Sequence, residues 1–205
     1  MLSLFFSNPL IFFILFPGLL LAITIHEFAH AWAADQLGDP TPRAQNRLTL
    51  DPRAHLDLLG TIAILLTRFG WGKPVQIDPY NLKDPVRDTA LIALAGPTSN
   101  LIMAGILSII INFALLPWEL VNLALVQILI INVMLAIFNL VPIHPLDGGK
   151  ILSALLPKET AYDYEQAMSR YGTMIIIFLI MPWNGVSPVS QLISPVINVI
   201  VRLLI

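Results

Sequence analysis

Cysteine is absent from this chain, and charged side chains are scarce. Without cysteine there can be no disulfide framework, no thiolate nucleophile and no cysteine metal site. Charged residues make up 12% of the 205 residues, about half the share found in an ordinary soluble domain. The net charge is -2 and no basic cluster is present, so we expect no nucleic-acid partner.

Apolar residues make up 57% of the sequence, and several apolar stretches approach or exceed the roughly 20 residues that cross a bilayer. No charged residue lies between Pro9 and Ile25. We therefore predict a single all-α polytopic membrane domain over residues 1–205, with about five or six membrane helices. The N-terminus has no basic segment, so we do not expect a cleaved signal peptide.

Two apolar pieces are too short for simple spans. Residues 58–69 would form a helix about 18 Å long, which is either a half-span or a helix tilted within the bundle. Residues 142–157 contain prolines and a Gly-Gly pair, and we expect a short re-entrant helix after Gly149. The other helices are expected at 9–34, 89–116, 119–141, 173–181 and 191–204, with a turn at Pro117.

Residues 70–80 differ from the apolar helices around them. Prolines flank the alternating residues Val75, Gln76 and Ile77, and prolines border edge strands rather than central ones. This pattern predicts a small strand or hairpin, which could accept an extended substrate by strand addition. An ordinary hairpin at the membrane interface is the alternative.

Lysine and arginine are unevenly distributed along the chain. They concentrate in segments 35–57, 68–87 and 143–170 and are absent from the N-terminus and the Pro117 turn. The positive-inside rule puts these segments in the cytoplasm and the N-terminus outside, provided that residues 58–69 do not cross. We therefore predict a multi-pass protein of the cell membrane.

The strongest chemical signal is an H-E-x-x-H motif formed by His26, Glu27 and His30. Residues i and i+4 share one face of a helix, so both imidazoles can reach one ion, with the glutamate beside them as a base for water. At bilayer depth each ionisable residue costs about a few kcal/mol unless it is paired or functional. We interpret the motif as a metal site with its general base, and a pair of buried histidines with a glutamate partner is the structural alternative.

A catalytic zinc uses about three protein ligands and keeps one open position, so a third ligand is needed. Gln36 stands six residues after His30, where a metzincin would have its third histidine, so that arrangement is excluded. Asp147 follows an apolar helix and precedes a Gly-Gly pair that permits close backbone approach. The candidates from the residues alone are His55, Asp51, Asp57, His144 and Asp147.

Together these motifs resemble the site-2 protease family of intramembrane zinc metalloproteases. The H-E-x-x-H helix matches, and NLVPIHPLDG at residues 139–148 matches the family pattern N-x-x-P-x-x-x-x-D-G. GPTSN at residues 96–100 resembles the G-P-x-x-N of the helix between them. The resemblance covers about residues 10–157 and fits small members without an appended PDZ or CBS domain. His144 stands where many relatives have an apolar residue or proline, which leaves it as a competing ligand.

The resemblance implies one zinc ion per subunit, with His26, His30 and Asp147 as ligands and Glu27 as the general base. It also draws attention to Asn139, which would hydrogen-bond the peptide or the developing oxyanion unless it makes an interhelical hydrogen bond. We expect the GPTSN residues Gly96, Pro97 and Asn100 to shape helix packing, and substrate contact is the alternative.

The implied activity is hydrolysis of peptide bonds within or near transmembrane segments of membrane-protein substrates, as in regulated intramembrane proteolysis. The partners would be a transmembrane substrate and the bilayer, and the oligomeric state stays open. His26 lies about 13 Å before the cytoplasmic end of its helix, so the active site would lie nearer that side. The alternatives are a zinc-binding transporter and a catalytically inactive membrane scaffold.

Overall fold

A computed structural model of the chain describes residues 1–67, 70–113, 118–183 and 185–205. These residues are mainly helical, which confirms the all-α membrane fold. In chain order, α1 to α10 span Leu2–Ser7, Pro9–Gln36, Thr41–Ala44, Pro52–His55, Leu58–Thr67, Pro85–Phe113, Glu119–Asn139, Asp147–Leu155, Lys158–Ile180 and Pro188–Leu204. A 3-10 turn covers Pro79–Asn81.

Among the described residues, three helices are long and apolar enough to cross a membrane. They are α2, α6 and α7, with 28, 29 and 21 residues. At 1.5 Å per residue even the shortest of them is about 32 Å long, which matches the hydrocarbon core of a bilayer. α5 and α10 are shorter apolar helices, and α9 begins with a charged first half. The described residues therefore support a membrane protein, but the predicted five or six spans are not confirmed.

The three long helices pack against one another and form the centre of the molecule. A buried cluster of Ala104, Leu107, Leu129 and Val133 joins α6 to α7, and α10 covers it. Gly18 lets α2 approach α7 closely, since a Cβ there would lie 2.9 Å from Ile128 Cγ1. Large apolar side chains point outward on the other faces, as expected for helices surrounded by lipid.

Helix boundaries follow local start signals. α2 begins at Pro9, and the Asn8 side chain accepts a hydrogen bond from the Ile11 amide at 3.3 Å. α6 begins at Pro85, four residues before the predicted start at residue 89, because proline is favoured in the first helical turn. The predicted Pro117 turn lies outside the described residues.

Residues 70–78 contain neither helix nor strand. A single antiparallel bridge joins Gly72 to Leu56, and the Lys73 amide donates to the His55 carbonyl at 2.8 Å. The predicted strand or hairpin near residues 70–80 is therefore not confirmed. Pro74 and Pro79 lack the amide hydrogens that a longer ladder requires.

A buried aspartate holds the far end of this segment in place. Asp39 accepts hydrogen bonds from the Asp78 amide at 2.8 Å and from Asn81 Nδ2 at 2.9 Å. It also accepts from the amide and hydroxyl of Thr41. These bonds hold the pKa of Asp39 below its usual range although burial opposes ionisation. Hydrogen bonds to the Asp39 side chain, in the α2–α3 loop, thus hold this segment in place in the absence of a sheet.

Candidate metal centre

Two histidines and an aspartate converge in the interior between α2 and α8. One ligand atom from each of His26, His30 and Asp147 lies within 4.8 Å of the others, and all three residues are buried. Asp147 Oδ2 is 3.0 Å from His26 Nε2 and 3.2 Å from His30 Nε2. Among the residues that the structure describes, this is the group of histidines and acids with the geometry to hold a metal ion.

Local sequence explains how each side chain reaches this point. His26 and His30 are one helical turn apart on α2, so their rings face the same side. Asp147 is the first residue of α8. A Cβ at Gly149 would lie 2.9 Å from the His144 amide nitrogen, and one at Gly148 would collide with the Leu140 carbonyl. The glycine pair therefore lets α8 start close against the preceding loop.

Hydrogen bonds from α6 fix the orientation of both imidazoles. His26 Nδ1 is 2.7 Å from Asn100 Oδ1, and His30 Nδ1 is 2.7 Å from the Ile92 carbonyl oxygen. Asn100 Nδ2 donates to the Ala22 carbonyl at 3.1 Å and to Asn132 Oδ1 at 2.9 Å, so its Oδ1 faces the histidine. Because these oxygens accept, each Nδ1 carries the proton and each Nε2 presents a lone pair to the centre.

The donor set therefore fits a catalytic zinc. Two neutral imidazole nitrogens and one carboxylate oxygen are the ligands that zinc takes in hydrolases, with a position left for water. The hydrogen bonds on the far side of each ring are the outer contacts that zinc histidines normally have.

Gly96 allows α6 to lie directly against the histidines. A Cβ at this position would be 2.5 Å from His30 Nε2 and 2.6 Å from His26 Nε2. Pro97, the next residue, is buried inside the same helix. Gly96 thus permits close helix packing, and Asn100 also hydrogen-bonds His26 of the candidate metal centre.

Glu27 lies next to this group, in contact with two loop segments. Its Oε2 is 3.8 Å from Nη2 of Arg47, a buried arginine in the loop between α3 and α4. The backbone at Gly72 passes nearby, since a Cβ there would be 3.3 Å from Glu27 Oε1. The carboxylate therefore lies close to Arg47 and to the backbone just before Lys73.

The other candidate ligands lie elsewhere. His144 is exposed and lines a separate cavity of about 300 Å³ together with Lys150 and Tyr164. His55 is fully buried, with Nε2 at 2.7 Å from the Thr49 carbonyl oxygen. Two carboxylates are engaged locally, because Asp51 pairs with Arg53 and Asp57 accepts from the Gly60 amide.

The residues predicted to contact the substrate differ in burial and in their hydrogen bonds. Asn139 ends α7 and donates from Nδ2 to the Leu135 carbonyl of its own helix at 2.9 Å, so it makes no interhelical bond in the described residues. Gln76 is exposed and hydrogen-bonded to Gln45, with the half-buried Val75 and Ile77 on either side. Sequence reasoning missed Arg47 altogether, because nothing local distinguishes it from the exposed arginines nearby.

An all-helical membrane protein with a buried His-His-carboxylate group belongs among the helical membrane metalloproteins. Residues 114–181 match the model for Peptidase family M50. The chain is 38% identical to "Putative zinc metalloprotease YwhC" of Bacillus subtilis over 188 residues, which covers 88% of this chain and 84% of that protein. It is 30% identical to "Putative zinc metalloprotease Rip2" of Mycobacterium tuberculosis, over 83% of this chain and 66% of that one.

A more distant relative is "Zinc metalloprotease MJ0392" of Methanocaldococcus jannaschii, at 27% identity over 76% of this chain and 38% of that protein. No solved structure gives a significant match. The chain belongs to peptidase family M50, the site-2 protease family, and it is a zinc metalloendopeptidase. The resemblance seen in the motifs is thereby confirmed, and so is the zinc cofactor.

Proposed function

We propose that this enzyme cleaves peptide bonds within or near transmembrane segments of membrane-protein substrates, with His26, His30 and Asp147 as zinc ligands and Glu27 as general base. One observation carries the proposal. The three ligand atoms converge within 4.8 Å, and two of them come from a 28-residue apolar helix that is long enough to span a bilayer.

Each residue has a defined task. Bound zinc would polarise the scissile carbonyl and acidify the attacking water. Glu27 takes the proton from that water and later gives it to the leaving amine, so no proton is gained or lost. Asn100 and the Ile92 carbonyl keep the imidazoles in the tautomer that exposes Nε2.

The depth of the site indicates the kind of substrate. His26 lies ten residues before the end of α2 at Gln36, or about 15 Å along the helix. A peptide bond inside a helix is shielded by its own hydrogen bonds, so a transmembrane substrate must unwind locally to reach Glu27. We expect substrates with helix-weakening residues near the cleavage site.

Two further contacts with the substrate are part of the proposal. Val75, Gln76 and Ile77 follow the Gly72 backbone beside Glu27. Their backbone forms no ladder with the described residues, so an unwound substrate could add to it as a strand. Asn139 uses one amide hydrogen within α7, which leaves the other and its Oδ1 for the peptide.

The charge distribution supports an orientation in the cell membrane. The loops that contain residues 35–57 and 70–87, together with residues 143–170, hold most of the lysines and arginines. The positive-inside rule therefore favours a multi-pass topology with these segments, and the nearer entrance to the site, on the cytoplasmic side.

The test is a zinc determination combined with a cleavage assay on the purified full chain. We expect about one zinc per chain and cleavage of a transmembrane peptide in detergent or vesicles. Glu27→Gln should keep the zinc and abolish cleavage, whereas Asp147→Asn should weaken zinc binding. Full cleavage by a zinc-loaded Glu27→Gln variant would remove the role assigned to Glu27. The transporter and inactive-scaffold alternatives receive no support from the family relationship.

A further inference from the structure

Arg47 is a buried arginine beside the catalytic centre, and its surroundings differ from those of its neighbours. Its side chain is 3% exposed, compared with 68% for Arg43 and 91% for Arg53. The two exposed arginines pair with nearby aspartates, whereas Arg47 has Glu27 as its carboxylate partner among the described residues. Removing a cation from water costs free energy, so a buried arginine needs compensating interactions with nearby groups.

The guanidinium of Arg47 joins two elements that meet at the site. Its Nη2 lies 3.8 Å from Glu27 Oε2, too long for a hydrogen bond but close enough for a strong charge interaction at low exposure. The same Nη2 donates a hydrogen bond to the Lys73 carbonyl. Arg47 therefore links the carboxylate on α2 to the first residue of the segment that runs from Lys73 to Asp78.

His55 is a second buried titratable side chain close enough to feel the charge of Arg47. His55 Nε2 is 2.7 Å from the Thr49 carbonyl oxygen, which can only accept, so the proton is on Nε2. Burial and the nearby Arg47 charge lower the pKa of His55, which keeps the ring neutral and leaves Nδ1 as an acceptor. His55 Nδ1 and Arg47 Nε are the two buried side-chain atoms without a hydrogen-bond partner in the described residues, so they do not bond to each other.

We propose that Arg47 is a positioning residue that holds the Glu27 carboxylate in its productive orientation and ties it to the backbone at Lys73. This inference rests on the proposed role of Glu27 as the general base. Removing the charge would free the carboxylate to adopt other rotamers. Proton transfer would then slow, while the zinc ligands, which do not contact Arg47, would keep the metal.

The experiment compares Arg47→Gln and Arg47→Lys in the full-length protein, with cleavage of a synthetic transmembrane peptide as the readout. For Arg47→Gln we expect wild-type zinc content, kcat lowered by at least about tenfold and KM within about twofold. Arg47→Lys retains the positive charge but lacks the planar guanidinium. Its kcat should therefore lie between those of the wild type and Arg47→Gln. Arg43→Gln and Arg53→Gln are the matched controls, and both should retain wild-type kcat.

Each other outcome is decisive. A folded, zinc-loaded Arg47→Gln variant with wild-type kcat overturns the proposal, and so does a loss confined to KM, which would assign Arg47 to substrate binding. If Arg47→Gln does not fold, Arg47→Met replaces it, because an unbranched apolar chain suits a buried site. Loss of fold in both neutral variants would make Arg47 purely structural and also overturn the proposal. A failure of the Arg47 proposal can be distinguished from a failure of the proposed function. In the second case the Glu27→Gln variant would still cleave the peptide.

Discussion

Replacing Gly96 by alanine should disturb the candidate metal centre although none of its proposed ligands is substituted. The new Cβ would lie 2.5 Å from His30 Nε2 and 2.6 Å from His26 Nε2. Non-bonded heavy atoms need about 3.5 Å, so either α6 and α2 must separate by about 1 Å or the imidazoles must rotate. Both movements displace the Nε2 atoms from the positions that face Asp147.

The magnitude follows from the contacts that α6 makes. Overpacking a well-packed interior costs about 1–3 kcal/mol of folding free energy. The same movement strains the hydrogen bonds that Asn100 and the Ile92 carbonyl make with the two histidines, since both partners belong to α6. Loss of such outer contacts typically weakens metal binding by about 10–100-fold. We expect the zinc Kd of Gly96→Ala to rise by about that factor.

The assay is competition between the purified protein and a zinc chelator, with thermal unfolding measured in parallel. Gly105→Ala is the matched control, because a Cβ at this position of the same helix meets nothing within 4 Å. Alanine there should leave zinc binding unchanged and stabilise the helix by about 0.5–1 kcal/mol. A Gly96→Ala variant that binds zinc as tightly as the wild type would refute the close approach of α6 to the histidines.

Three further predictions concern the loops. Gln76→Pro removes a backbone donor from the proposed substrate edge and should raise KM several-fold, whereas Gln76→Ala keeps the donor and should not. Asp39→Asn should lower thermal stability at neutral pH. Because the pKa of Asp39 is lowered in the folded state, the stability difference between wild type and variant should shrink as the pH falls below about 4. A difference that stays constant with pH would contradict this prediction. Since the chain has no cysteine, single cysteines at Lys83 and Glu119 report topology. On intact cells an impermeant maleimide should label only the cysteine at Glu119, and the reverse pattern would invert the orientation.

The two histidines of the centre were predictable because their relationship is local. Helical periodicity alone puts residues four apart on one face, and His26 and His30 both lie in the same helix, α2. Asp147 is 121 residues from His26, so no local rule could select it over His144 or His55. The motif resemblance favoured it, and the structure brings it to the histidines.

Other parts of the site depend on contacts between distant segments. Asn100 was noticed within GPTSN, yet its bond to His26 depends on how α6 packs against α2. Arg47 and Arg43 look alike in the sequence, and only the fold buries one and exposes the other. The strand expected at Val75–Ile77 was not confirmed, because the Asp39 hydrogen bonds and the single bridge at Gly72 hold this segment without a ladder.

The most direct test of the central claim is a side-by-side measurement on wild type and Glu27→Gln, with zinc content and cleavage of one transmembrane peptide determined on the same preparations. The account predicts about one zinc per chain in both proteins and cleavage by the wild type alone. Equal cleavage by the two zinc-loaded proteins would contradict the assignment of Glu27 as the general base of an intramembrane zinc protease.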